Sequence, residues 1–336
     1  MGAVVGCQKG PSADEPAVNL TGLGATFPAP LYQRWITEYA RATNTRIAYQ
    51  ALGSGAGIEA IMSGSVDFAG SDAPMTDDQL SQVGDIQHIP STVGAVTLAY
   101  NLSGVDDLRL HREALAGILS GRITRWNDPK IASLNPGASL PDAPIKLVYR
   151  ADGSGTTKIL TDYVSRGDAS WKDTIGVGTN VKFPVGLGAK GNQGAAEAIS
   201  RLSGAFGYVE LNFARANSLR VAQLFNRAGR YVEPTLDSTT AAAASAAAKL
   251  PGDLRISLLD SEAPDAYPIA SFSYLLVAKD GPEVVKRRAL AKFLLWVLSD
   301  GQRFAPFLHY SPLPDAVVKR AQTSVRALTG NGQGLL

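Results

Sequence analysis

The chain has 336 residues, 45% of them hydrophobic and 18% charged, which excludes a disordered tail or a coiled coil and suits about two domains of ordinary size. Lys and Arg (32) nearly balance Asp and Glu (30), for a net charge of +2, and no run of five like charges gives the basic block of a nucleic-acid binder. One Cys excludes an intramolecular disulfide, three scattered His (His88, His111, His309) leave little for a metal, and no apolar run approaches the ~18 residues of a membrane helix.

In chain order, Ala3-Val4-Val5-Gly6-Cys7 places small residues before the single Cys, and the polar stretch that follows reads as a linker. This resembles the end of a bacterial lipoprotein signal, which makes Cys7 a candidate for lipidation and 1–16 a leader and linker. Only six residues precede Cys7, too few for the basic and apolar segments of a full signal. Val18–Thr21 then reads as a strand. Pro28–Arg41 reads as a helix, with Pro in its first turn and Leu31, Trp35 and Tyr39 at a spacing of four. Arg46–Ala51 is strand-like, Ile58, Ile61 and Met62 mark a helix, and Val66–Gly70 is another strand. Thr76 and Gln79 match a capping box. Strands alternating with helices predict a largely parallel sheet covered on both faces.

Ala95–Asn101 predicts a strand leading into new β/α material: strand Ile145–Tyr149, helix Thr156–Val164, helix Ala195–Leu202 and strand Phe206–Glu210. Ala241–Lys249 is an Ala-rich helix. Tyr267–Val277 is a long β-prone stretch, followed by helices at Pro282–Leu298 and Asp315–Leu328. The last helices need a surface to pack on, and the first block is the obvious one. The expected organisation is therefore an α/β protein with a discontinuous first domain, 17–95 plus 267–336, and a second domain, 96–266.

Three strand-to-helix junctions share one chemical character: Gly22-Leu23-Gly24-Ala25-Thr26-Phe27, Gly53-Ser54-Gly55-Ala56-Gly57 and Asp152-Gly153-Ser154-Gly155-Thr156-Thr157. Each combines Gly, a hydroxyl residue and the start of a helix, where backbone N–H groups lack partners and the helix dipole is positive. Glycine lets that backbone approach a ligand, so the three make an anion site with few formal charges. None completes G-x-G-x-x-G or the Gly-Lys-Ser/Thr of a phosphate loop. Arg150, at a strand end before the third junction, can fork onto two oxygens of a tetrahedral anion. Asp152 can cap the helix or pair with Arg150. Asp72 also closes a strand, after Phe68-Ala69-Gly70-Ser71.

Leu20 through Pro30, Val66 through Pro74, Arg150 through Thr156, Gly186 through Asn192 and Gly204 through Glu210 together resemble, in this order, the bacterial phosphate-binding proteins that feed the ABC-type phosphate importer. The resemblance implies a type II periplasmic-binding-protein fold, two α/β domains joined by a two-segment hinge, with the anion buried in the cleft between them. By that resemblance Thr26 and Phe27 donate hydrogen bonds to phosphate from the first junction, Ser54 from the second, and Ser154, Gly155 and Thr156 from the third. Arg150 supplies the guanidinium, Asp152 orients it, and Asp72 is the acceptor. Gly55 stands where the family often has a second Ser. The resemblance also implies a periplasmic or extracytoplasmic monomer without cofactor, metal or nucleic-acid partner, working with the transmembrane subunits of an ABC importer.

An acceptor carboxylate in an anion site has a physical sense. Phosphate near neutral pH keeps a proton to donate, whereas sulfate has none, so Asp72 admits the first and repels the second. Two other readings stand beside this one: an enzyme acting on phosphate esters, for which no His is visibly related to Ser54 or Ser154, and the same fold holding another tetrahedral oxyanion such as arsenate.

Overall fold

The structure, a computed structural model, describes residues 17–336; Cys7 and the leader 1–16 lie outside the described residues. Strand β1 (Val18–Gly24) pairs in parallel with β2 (Thr45–Ala51) on one side and β3 (Phe68–Ser71) on the other. Helix α1 (Ala29–Ala42) connects the first two. Its Leu31, Tyr32, Trp35, Ile36 and Tyr39 are buried along one face, each worth about 1.5–3 kcal/mol for a side chain of this size taken from water. Trp35 is fully buried, and its indole N–H donates to the Gly301 carbonyl at 2.7 Å, tying the helix to a segment 266 residues away. Helix α2 (Ser54–Met62) joins β2 to β3, and α3 (Asp77–Val83) begins with the Thr76–Gln79 capping box expected from the sequence.

The centre of the sheet departs from the parallel expectation. Strand β4 (Ile86–Tyr100) is 15 residues long and buried over almost its whole length. The sheet continues with β5 (Lys146–Arg150), β6 (Leu187–Ala189), β7 (Ala205–Glu210) and β8 (Ala270–Ala278). The order is β2-β1-β3-β8-β4-β7-β5-β6. The outer pairs β1–β2, β1–β3, β5–β6 and β5–β7 are parallel. Those in the middle, β3–β8, β8–β4 and β4–β7, are antiparallel. The reason is the chain path. It leaves the first half-sheet along β4 and comes back along β8 in the neighbouring position, so the two strands run in opposite directions. Alternation of strands and helices reports only the two outer halves.

Strand β4 also starts earlier than the sequence predicts, at Ile86 instead of Ala95. Proline is disfavoured inside a strand, yet Pro90 faces Tyr274 at a register shift in the β4–β8 ladder, where a missing N–H costs little. The displaced Ser91 turns its hydroxyl onto the Ser273 carbonyl at 2.8 Å and meets the Tyr32 hydroxyl at 2.7 Å.

In the second half, α4 (Gly155–Ser165) follows β5 and α5 (Gly191–Arg201) follows β6. The latter begins four residues before the sequence expectation. A helix at Arg112–Leu119 with six buried residues was not anticipated, and the Ala-rich helix runs Leu236–Ala247 with Ala242, Ala243 and Ala246 buried. The closing helices α6 (Val284–Val297) and α7 (Asp315–Arg326) return to the first half, α6 against β1 and α7 against β4.

Candidate functional site

The ends of β1, β2 and β3 are knitted together by backbone. Leu52 and Gly53 both donate to the Gly24 carbonyl at 2.9 and 2.8 Å, and Ala25 donates to Gly70 at 2.8 Å. Glycine is required here. Gly24 has a φ of +147°, and a Cβ on it would lie 2.1 Å from the Gly70 oxygen. From the second half, the loop after β5 meets this edge. The Gly55 N–H donates to the Gly153 carbonyl at 2.9 Å, and a Cβ on Gly155 would stand 2.3 Å from the Ser54 hydroxyl and 2.7 Å from Asp72 Oδ2. All three junctions singled out in the sequence therefore converge on one place, with the first turns of α2 and α4 side by side. Two N-terminal turns present N–H groups and positive dipole ends there.

The side chains at this place are buried. Asp72 is 2% exposed, Arg150 4% and Thr26 9%, while Phe27, Ser54, Ser154 and Thr156 are buried more completely. Asp72 Oδ1 accepts from the Ser273 hydroxyl at 2.6 Å and Oδ2 from Ser54 at 3.2 Å. Burial pushes its carboxyl up from 3.8 to about 7, against the pull of those two hydroxyls and of the Arg150 charge. Arg150 donates through Nε to Asp152 Oδ1 at 2.7 Å, through a terminal nitrogen to Asp152 Oδ2, and through the other to the Thr156 hydroxyl at 3.2 Å. Burial raises the Asp152 carboxyl, but the Arg150 bonds and charge, with the Gly191 N–H, outweigh it and hold Asp152 below its usual range. Asp152 stays ionised and fixes the guanidinium plane, leaving one N–H on each terminal nitrogen uncommitted among the described residues.

Three of the expected site residues carry further detail. The Ser154 N–H is already donated to the Thr179 carbonyl at 2.8 Å, and its hydroxyl oxygen caps α4 by accepting from Thr157 at 3.1 Å, so only its hydroxyl hydrogen is left to give. The Phe27 carbonyl accepts from the Tyr310 hydroxyl at 2.6 Å. Thr26 does not touch the other expected residues directly. It is joined to Thr156 through Asn192, which donates to both hydroxyls.

Three residues at the site went unassigned in the sequence reading. Asn192 lies in the first turn of α5 after Gly191, whose φ is +70°, so the β6–α5 connection is a fourth junction of the same kind. Ser273 lies mid-strand in β8 and carries no local signal. Glu210, at the end of β7, is fully buried; Oε2 accepts from Asn212 at 2.7 Å, and Oε1 has no partner among the described residues. Burial drives its carboxyl well above the usual range, and the nearby Asp72 charge adds to that. Beside the site a groove of about 360 Å³ opens, lined by Thr26, Leu52, Asp152, Lys190, Asn192 and Phe213. Among the described residues no group of His, Cys, Asp and Glu could hold a metal ion. His88 accepts from the Met75 N–H and His111 meets Tyr231, so neither pairs with Ser54 or Ser154.

A family model described as a PBP superfamily domain matches residues 10–301. The phosphate-binding protein PstS of Xylella fastidiosa (strain 9a5c) is 39% identical over 315 residues, 93% of this chain and 86% of that protein. Its namesake from Pasteurella multocida (strain Pm70) is 38% identical over 322 residues, 95% of this chain and 93% of its own. Among solved structures, a high-affinity periplasmic phosphate-binding protein with phosphate bound aligns with a TM-score of 0.75 at 22% identity, over 94% of this chain and 99% of that one. The phosphate-binding protein of Stenotrophomonas maltophilia aligns with a TM-score of 0.72, also at 22%, over 94% and 97%. At that identity these two likenesses are likenesses of fold.

Proposed function

Since the chain belongs to the PBP superfamily, and within it to the phosphate-binding proteins, with the type II periplasmic-binding-protein fold, we propose that it captures inorganic phosphate outside the cytoplasm and delivers it to the membrane subunits of an ABC importer. It is a binding protein and not an enzyme, as its relatives' names are. The observation that carries the reading is one buried carboxyl, Asp72, set among hydroxyl, guanidinium and helix N-terminal donors.

In this reading the donors to phosphate are Thr26, Phe27, Ser54, Arg150, Ser154, Gly155 and Thr156, with Ser154 acting through its hydroxyl alone. Asp152 holds Arg150, and Asp72 takes the proton-bearing oxygen of the ligand. Bonds to charged groups contribute about 1.5–3 kcal/mol each, and a sub-micromolar site needs about 8–10 kcal/mol, so four or five of them suffice after the costs of ordering. Sulfate brings no proton and leaves a buried carboxylate facing an oxyanion, an uncompensated like-charge contact.

The same reading assigns 17–95 plus 267–336 and 96–266 as two lobes that close on the ligand as a monomer, the adjacent strands β4 and β8 serving as the two crossings. Lipid attachment through Cys7 belongs to it as well, on the strength of the Ala3–Cys7 sequence. The test is to unfold and refold the protein to strip carried-over anion, then titrate phosphate and sulfate separately by calorimetry. One-to-one phosphate binding with no sulfate heat is the expected result. Equal or absent binding of the two overturns the proposal.

A further inference from the structure

We infer that Asn192 is a positioning residue of the anion site, which turns the hydroxyls of Thr26 and Thr156 into obligate donors; the inference rests on the reading of that site as one for phosphate. A threonine hydroxyl has one hydrogen to give and two lone pairs to receive with. Thr26 Oγ1 accepts from Asn192 twice, from Nδ2 at 2.9 Å and from the backbone N–H at 3.3 Å. Thr156 Oγ1 accepts from Arg150 at 3.2 Å and from Asn192 Nδ2 at 3.3 Å. Both lone pairs of each oxygen are occupied. Each hydroxyl is left with its hydrogen, and among the described residues no acceptor takes either one. Two buried O–H groups without an acceptor point to an oxygen supplied by a ligand.

The amide cannot serve the other way round. Its Oδ1 accepts from the Glu210 N–H at 2.9 Å, so a flipped amide would set its NH₂ against that donor and lose both threonines. Asn192 is fully buried and spans from the second half of the sheet, where it lies in the first turn of α5, to Thr26 just after β1. It therefore sets hydrogen-bond polarity on both sides of the site at once. Ligand oxygens facing Thr26 and Thr156 have to accept, so a proton on the ligand finds its acceptor on the Asp72 side.

The test is calorimetric titration with inorganic phosphate at pH 8 of the wild type, Asn192→Asp and Asn192→Ser, alone and in a Thr26→Val/Thr156→Val background. Asn192→Asp keeps the shape and the acceptor for Glu210 but presents an acceptor to the two threonines, so their hydrogens turn away from the ligand. It is expected to weaken phosphate about 100-fold, the loss of two charge-assisted bonds. Asn192→Ser, the milder variant, is expected to lose about 10-fold, and that loss shrinks to within about twofold once both threonines are Val, because the groups it positions are gone. A purely structural role would leave the Ser effect undiminished in the Val background. An Asn192→Asp protein that binds within threefold of wild type, or a Ser effect that persists in the Val background, overturns the inference. A wild type that gives no phosphate heat overturns the underlying reading instead.

Discussion

Asp72→Asn separates the energetic cost of the site from its use. In the ligand-free protein, burial holds the Asp72 carboxyl near 7 in place of its usual 3.8. Below that lower value the folded and unfolded chains both carry a neutral carboxyl, and the group does not affect stability. As the pH rises between the two values, the unfolded chain gives up its proton while the folded one keeps it, so stability falls. The fall ends once the folded carboxyl has ionised too. At 1.36 kcal/mol for each tenfold step in proton affinity, the loss comes to roughly 4 kcal/mol by pH 8.5. Asparagine has no proton to lose, and its amide suits the surroundings, with Oδ1 accepting from Ser273 and Nδ2 donating to Ser54 Oγ.

The assay is urea denaturation of wild type and Asp72→Asn in phosphate-free buffer from pH 4 to 9. The two should agree within about 1 kcal/mol at pH 4 and diverge through pH 7, with the variant more stable by roughly 2–4 kcal/mol at pH 8.5. The buried Glu210 titrates in both proteins and mostly cancels from the comparison. Saturating phosphate should reverse the order, since only the wild type offers an acceptor to the ligand's proton and ligand binding adds to stability by mass action. Parallel curves across the whole range would refute the argument, because Asp72 would then be no more costly to ionise in the fold than in water.

Gly155→Ala is expected to abolish phosphate binding at millimolar concentration by calorimetry, since its methyl would sit 2.3 Å from the Ser54 hydroxyl, 2.7 Å from Asp72 Oδ2 and 2.8 Å from Asp72 Cβ, the last an atom that no rotamer change moves away. Arg150→Lys keeps the charge but cannot bond Asp152, Thr156 and an anion together; phosphate affinity should fall about 100-fold or more, and retained affinity would remove Arg150 from the site. Trp35→Phe loses the bond to the Gly301 carbonyl and should lower the unfolding free energy by about 1–3 kcal/mol with phosphate affinity unchanged, which checks that stability and binding can be moved independently.

The site was more legible in the sequence than the sheet that carries it. Gly, hydroxyl residues and helix starts occur together in short windows, so the junctions at Thr26, Ser54 and Ser154–Thr156 can be read from a few neighbouring letters, and the same logic reaches Asn192 after Gly191. Ser273 could not be found that way. It meets Asp72 only because β8 lies beside β3, a pairing between residues 201 apart in the chain. The antiparallel centre was hidden for a related reason. Direction within a sheet is a property of the path between strands, and Pro90 in β4 conceals a strand whose register shift accommodates it. Hydrogen-bond direction was equally out of reach: nothing local tells that the Ser154 N–H goes to Thr179.

Some of the donors assigned to phosphate already have partners inside the protein. Ser54 gives its hydrogen to Asp72, and Arg150 gives three of its N–H groups to Asp152 and Thr156. Where a donor gives up such a partner, binding is an exchange, and the free energy gained is the difference between the anion and the partner it replaces. Ser54 exchanges a long 3.2 Å bond to the Asp72 carboxyl for one to a charged ligand oxygen, and that exchange is favourable. Arg150 exchanges nothing, because its bonds to Asp152 persist and its two uncommitted N–H groups are free to give. Thr26 and Thr156 likewise give hydrogens that have no internal acceptor. On the proposed reading the strongest gains therefore come from Arg150, Thr26 and Thr156, and Asp72 admits the anion that can collect those gains: one that brings a proton of its own.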